Sequence, residues 1–151
     1  KNKQVLVKRD DLLEVSNGEI AGNKVRKLSY LLEHQNKIEA EVLLSHGGIQ
    51  SNAMLAIASM AKSIGKEFVY MTKPIPSHVK LNPSGNYSKA LALDVNIVEL
   101  DLEDYKETFG GSDGSCEPKG EIYPKNFYWI PQGAACLEAE SGIKVLADEI
   151  I

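Results

Sequence analysis

Two short stretches hold the residues whose types and spacing could do chemistry: "GNKVRKL" at residues 22–28 and "SHGGIQSN" at residues 45–52. The first puts Lys24, Arg26 and Lys27 together where a helix is expected to begin. A helix N-terminus carries about half a positive elementary charge, so cations there oppose its field. A lysine amine attacks a carbonyl only when neutral, and its ordinary pKa of about 10.4 keeps it protonated. Neighbouring cations and the helix field both disfavour the ammonium, which prepares a lysine for Schiff-base chemistry. On this segment alone the commoner reading is a solvated basic face whose side chains bend away from the field.

The second stretch falls between an expected strand and an expected helix. Gly47 and Gly48 permit a tight turn and close approach of the backbone to a ligand. Ser51 or Gln50 can cap the helix, whose first-turn amides suit an anion such as a carboxylate. An ordinary strand-to-helix turn has a similar composition. The spacing is neither GxGxxG nor a P-loop, so it indicates neither a dinucleotide nor a triphosphate.

The elements that must position these residues follow from periodicity. "KQVLVKRDDLLE" reads as a strand or hairpin arm ahead of a turn at "SNGE". From Asn23, a candidate N-cap, Val25, Leu28, Leu31 and Leu32 share one helical face. "EVLLSH" is then a buried strand, "SNAMLAIASMAKSIG" a helix and "EFVYMT" a strand. "LNPSGNYSKALALD" is a helix with Asn82 at the cap and Pro83 at the first position. "VNIVELD" is a strand, "LEDYKETF" a short helix, and "GGSDGSCEPKGEIYPKN" a loop. "FYWIP" is a last strand before a helical segment ending in "GIKVLADEII". Alternating strands and helices imply an α/β fold: a three-layer open sheet of about four parallel strands with helices on both faces. Ligands of such sheets bind beyond the carboxyl ends of the strands, where "SHGGIQSN" lies.

Composition sets the outer limits. A chain of 151 residues, 43% hydrophobic and 25% charged, is expected to be one globular domain with a real core. A net charge of −4 argues against binding a nucleic-acid backbone. No apolar run approaches the ~20 residues needed to cross a bilayer. Cys116 and Cys136 are too few for a disulfide framework, so a reducing cytoplasm is expected. A start at Lys1 and a final helix with no stop signal are expected of a piece cut from a longer chain.

Together, "GNKVRKL" and "SHGGIQSN" resemble a known pair of motifs. They are similar to those of the 1-aminocyclopropane-1-carboxylate deaminase / D-cysteine desulfhydrase family, which depends on pyridoxal 5'-phosphate and has a tryptophan-synthase-β-like fold. The match runs from "VLVKRDDL" through "IPQGA" to "GIKVLADEI". The resemblance implies that Lys24 forms the internal aldimine with the cofactor and that Asn52 bonds the 3-oxygen of its pyridine ring. It implies a substrate-carboxylate site at Ser51, Gln50 and the backbone around Gly48, with Ser51 also a candidate participant in ring opening. Asn23 would orient the segment carrying the lysine. The implied reaction removes ammonia from a small amino acid and leaves a 2-oxo acid, with loss of sulfide where the substrate is D-cysteine.

Ala53 and Met54 depart from the polar residues usual after the serine-asparagine pair, which implies a more apolar wall beyond the cofactor. Family chains are roughly twice as long, and the glycine- and threonine-rich phosphate loop, the group facing the pyridine nitrogen and the substrate-side tyrosines belong to their later half. The resemblance therefore implies the small domain at residues 23–133, a leading segment of the larger domain at 1–22, and a connection into it at 134–151. It also implies a fragment inactive alone, cut from a homodimer or larger assembly. Two other readings stand beside this one: a catalytically silent α/β domain, and a nucleotide-binding or regulatory module with a chance lysine.

The remaining polar and aromatic residues read as structural. His46 is expected to be a hydrogen-bonded histidine at a strand end, and His34 and His78 have no partner at metal spacing. Tyr70, Tyr128 and Trp129 fall in strand patterns and are expected in the core. Cys116 is expected to be exposed in its loop, and Cys136 to be packed.

Overall fold

A computed structural model of the chain describes residues 5–15, 20–110, 117–119 and 125–150. Its first ordered elements are small. Residues 5–9 run without regular structure into a 3-10 turn, Asp10–Leu12. Two short strands, β1 (Glu14–Val15) and β2 (Ile20–Ala21), then pair antiparallel. Of the strand or hairpin arm expected over the opening residues, only its end at Glu14 pairs, in β1; Val5, Leu6 and Val7 are exposed and lie outside any strand among the described residues. Alternation alone does not make a strand without a partner edge. Ile20, by contrast, is fully buried in the main core.

The body of the molecule is a sheet of β3 (Val42–His46), β4 (Glu67–Thr72), β5 (Asn96–Glu99) and β6 (Phe127–Trp129), all parallel, in the order β5-β4-β3-β6. The helices are α1 (Asn23–Glu33), α2 (Asn52–Ser63), α3 (Ser77–Leu81), α4 (Gly85–Ala92), α5 (Leu102–Phe109) and α6 (Ala139–Ile150). The chain steps from β3 to β4 to β5 in one direction, then returns past both to reach β6. Right-handed crossovers put helices of opposite steps on opposite faces. Accordingly Leu28 of α1, Met54 and Ile57 of α2 and Ala90 of α4 pack with Leu43, Phe68 and Tyr70 on one face. Tyr105 and Phe109 of α5 pack with Leu44, Val69, Met71 and Trp129 on the other. The three-layer α/β sheet read from the sequence is therefore the fold. Among the described residues no helix is long and apolar enough to cross a membrane.

Two helix starts differ from expectation. The N-cap of α1 is Gly22, at φ 65, and Asn23 is the first helical residue. The chain leaves β2 through a conformation that suits glycine, which leaves the Asn23 side chain free for another role. Helix α4 begins at Gly85 after Ser84, not at Asn82 and Pro83, and a further short helix that the sequence did not suggest, α3, precedes it. The cap of α4 comes from outside the segment, as the site shows. Elsewhere the expected elements stand, β4 and α5 over their full expected stretches and most other ends shifted by a residue or more. Most of the loop 110–126, including Cys116, lies outside the described residues.

The final helix is fastened to α1. Arg26 is buried and donates to both oxygens of Asp10 at 2.8 Å and to Glu149 of α6 at 2.7 Å. At the same crossing the two backbones nearly touch: a Cβ placed on Gly142 would lie 1.8 Å from the Arg26 carbonyl oxygen.

Candidate active site

The strands β3 and β6 are neighbours, and the turns leaving their carboxyl ends meet. After β3 the chain makes the turn 47–51; after β6 it makes a 3-10 turn, Gln132–Ala134. Gly47, at φ 145, lies where a Cβ would be 2.6 Å from the Tyr70 hydroxyl and 3.4 Å from Gln132 Nε2. Only glycine fits there. Gly48 is different: it is exposed, nothing would meet a Cβ on it, and it contributes its carbonyl. That oxygen accepts from Tyr70 Oη at 3.1 Å and from the Ser51 amide at 2.9 Å, which closes the turn.

Ser51 caps α2. Its Oγ accepts from the amides of Ala53 at 3.1 Å and Met54 at 3.3 Å. Those two first-turn amides are thereby satisfied internally. The Ser51 hydroxyl keeps one proton of its own, which it donates within the turn. Tyr70 gives its one proton to Gly48 O, so it accepts from the Ser51 hydroxyl, while burial pushes its phenol well above its ordinary pKa. Tyr70 thus stays a neutral donor beneath the turn. Reading it as core was right for its ring and missed its hydroxyl. A tyrosine where the apolar run of a buried strand would accept phenylalanine is the signal that could have found it.

Gln50 and Asn52 face α4. Gln50 Oε1 accepts from the amides of Asn86 at 3.0 Å and Tyr87 at 3.4 Å, and its Nε2 donates to Ser84 O at 3.1 Å. It is the cap that Ser84 does not supply. Gly85, at φ 60, lets this happen, since a Cβ there would sit 2.7 Å from Gln50 Oε1. Asn52 Oδ1 accepts from Asn86 Nδ2 at 2.6 Å. Ala53 and Met54 do not line a wall beside the site: both are buried, and Met54 belongs to the main core. The Met54 side chain falls on the face of α2 turned to the sheet.

Lys24 lies on the first turn of α1, which packs against α2. Its amine is half-buried and donates to Asn23 Oδ1 at 3.3 Å. Burial pushes its pKa down, and the Lys27 ammonium adds to the effect. Lys27 itself donates to Gly133 O at 3.2 Å, tying α1 to the turn after β6. The other singled-out residues are structural. His46 is buried, its Nδ1 2.8 Å from Tyr105 Oη and its ring stacked on Phe109 at 4.0 Å between centroids. Tyr128 and Trp129 are half-buried, one against each core cluster, and Cys136 is half-buried.

Fold and local geometry together define an α/β protein with a parallel sheet, whose strand-end turn and following helix start carry the Ser51 hydroxyl and the Gln50 and Asn52 carboxamides, beside a helix bearing Lys24, an amine of lowered pKa. A protein of Thermotoga maritima, named provisionally as a 1-aminocyclopropane-1-carboxylate deaminase, is 36% identical over 135 residues, covering 87% of this chain and 39% of its own length. A D-cysteine desulfhydrase of Salmonella paratyphi B is 30% identical over 100 residues, covering 66% of this chain and 27% of its own. A crystal structure described as an ACC deaminase homologue superposes with a TM-score of 0.66 at 27% identity, over 95% of this chain and 41% of that one. No family model matches the chain. In sequence and in fold, then, the chain resembles the 1-aminocyclopropane-1-carboxylate deaminase / D-cysteine desulfhydrase family. It spans well under half the length of these relatives.

Proposed function

We propose that this chain is the lysine-bearing part of a pyridoxal 5'-phosphate-dependent deaminase or desulfhydrase acting on 1-aminocyclopropane-1-carboxylate or D-cysteine. The products are a 2-oxo acid and ammonia, with sulfide from D-cysteine. The observation that carries this reading is Lys24, a half-buried amine of lowered pKa, on a helix packed against the one that starts at Ser51 and Asn52. The donor set suits the cofactor: an amine for its aldehyde and an amide N–H for its 3-oxygen. When bound, the cofactor supplies the electron sink that makes removal of the amino group possible.

The chain's own residues do the rest. Lys24 would hold the cofactor through its aldehyde, and its lowered pKa keeps more of the amine neutral at a given pH. Asn23 Oδ1 accepts one proton of that amine and fixes the direction of its approach. Asn52 would donate to the 3-oxygen. Ser51 would turn its hydroxyl proton from Tyr70 Oη to the substrate carboxylate, while the Tyr70 bond to Gly48 O holds the turn that carries it. The phosphate-binding loop comes from a further part of a longer protein, which acts as a homodimer or larger. The 151 residues alone accordingly release no ammonia or sulfide.

The test is chemical trapping. The chain is incubated with pyridoxal 5'-phosphate, reduced with borohydride and mapped by mass spectrometry. Lys24 is labelled ahead of the other lysines, and Lys24→Ala removes that label. Equal labelling of surface lysines in wild type and variant sinks the reading.

A further inference from the structure

The Asn86 carboxamide sits where the turn 47–51, the start of α2 and the first turn of α4 meet. Its Nδ2 donates to the backbone oxygen of Gln50 at 3.0 Å and to Asn52 Oδ1 at 2.6 Å. The orientation of both asparagines follows from a group that cannot be reversed. A backbone carbonyl only accepts, so Gln50 O requires the NH2 of Asn86. An NH2 facing Asn52 in turn requires the oxygen of Asn52. The NH2 of Asn52 is thereby turned away from Asn86, on a residue that is exposed.

Gln50 strengthens the arrangement from the other side. Its side chain accepts from the Asn86 and Tyr87 amides and donates to Ser84 O, so the backbone carrying Asn86 is held to the same turn that Asn86 grips. Both protons of Asn86 Nδ2 are committed within the protein, so Asn86 orients a neighbour and does not itself meet the ligand through them.

We infer that Asn86 is a positioning residue that commits Asn52 to act as a hydrogen-bond donor, and so selects a ligand presenting an acceptor oxygen. This rests on the reading in which Asn52 meets the 3-oxygen of the cofactor ring. Without Asn86 the Asn52 carboxamide is free to rotate half a turn and present its own oxygen, which an anionic ring oxygen repels.

Two variants and two measurements test it. Asn86→Asp replaces the donor by an acceptor and should reverse Asn52; Asn86→Ala simply frees it. Far-ultraviolet circular dichroism and Trp129 fluorescence establish that each variant is folded, and either folded variant suffices. Side-chain amide hydrogen exchange by nuclear magnetic resonance comes first. In the wild type the Asn86 NH2 exchanges about tenfold or more slowly relative to that of Asn52, and in Asn86→Asp the Asn52 NH2 becomes the protected one. In Asn86→Ala the Asn52 NH2 stays unprotected.

Borohydride trapping at Lys24 is then compared for pyridoxal 5'-phosphate and its 3-deoxy analogue. A charge-assisted hydrogen bond corresponds to a preference of about tenfold for the 3-oxygen in the wild type, beyond that seen in either variant. Taking the ratio between proteins removes the intrinsic difference between the two aldehydes. An unchanged ratio with Lys24 still labelled overturns the role of Asn86 and leaves the proposed function standing. If neither aldehyde labels Lys24 in the wild type, the proposed function fails. Asn86 is then judged by exchange alone, and an Asn52 NH2 as protected as that of Asn86 overturns its assignment.

Discussion

Lys24, Arg26 and Lys27 share the start of α1, and each meets a different environment. Arg26 is buried and neutralised by Asp10 and Glu149, so it fastens segments and takes no part in a ligand site. Lys27 spends its charge on a backbone oxygen of the turn after β6. Lys24 is left half-buried, its amine donating among the described residues to the weak acceptor Asn23 Oδ1. Its lowered pKa owes more to that burial than to Lys27. Two predictions belong at this scale. Lys27→Ala should raise the pKa of the Lys24 amine slightly, seen as slower labelling of Lys24 by an amine-specific acylating reagent near pH 8. Ser51→Ala removes the α2 cap and should cost about 1 kcal/mol in urea unfolding. A change well outside the usual cap range of roughly 0.5–2 kcal/mol would show that Ser51 is held by more than its two amide bonds.

Among the elements, α4 depends on another segment for its first turn. Its first-turn amides at Asn86 and Tyr87 are satisfied by a side chain from the turn after β3, and Ser84, at its own cap position, does not contribute. A substitution at Gly85 therefore acts on two elements. Gly85→Ala forces a side chain into a left-handed φ and into Gln50 Oε1, costing about 1–2 kcal/mol from the backbone conformation alone. Urea unfolding followed by circular dichroism measures it, and a neutral result would mean the turn and α4 are not coupled. Helix α2 depends instead on packing: Met54 is fully buried, so Met54→Ala should cost about 2–5 kcal/mol.

At the scale of the molecule, the outer layer on the α1 face closes by the crossing of α1 and α6. Asp10, Arg26 and Glu149 join the leading segment, α1 and α6, and Gly142 permits the close approach. Arg26 holds the Asp10 carboxyl below its ordinary pKa, while Lys8 and then Arg26 lower that of Glu149. Carboxyls with lowered native pKa contribute stability that is fully present above their unfolded values of about 4. That contribution is lost as pH falls through the lowered native values. Thermal melts should therefore drop in midpoint below about pH 4, and less so in a chain carrying Asp10→Asn and Glu149→Gln together. An equal drop in both proteins would place the acid sensitivity elsewhere. Gly142→Val should separate α6 from α1, read as faster amide exchange in α6 with little change in β3 and β4.

Several features of this protein were determined by local residue order. Alternating strands and helices set the layers, because burying one face of each element leaves few other arrangements. The turn at "GGIQS" was legible because glycine pairs and a capping serine have local physical causes, and Lys24 was legible as a charge set against a helix field. Tertiary structure decided what depends on distant partners. It buried Ala53 and Met54 by the side of α2 they fall on, gave Arg26 to two carboxylates far away in sequence, and moved the start of α4 to where Gln50 could cap it. It also brought Asn86 to Asn52. Hydrogen bonds and burial between remote segments leave no periodic trace along the chain, so no local reading could have assigned those roles.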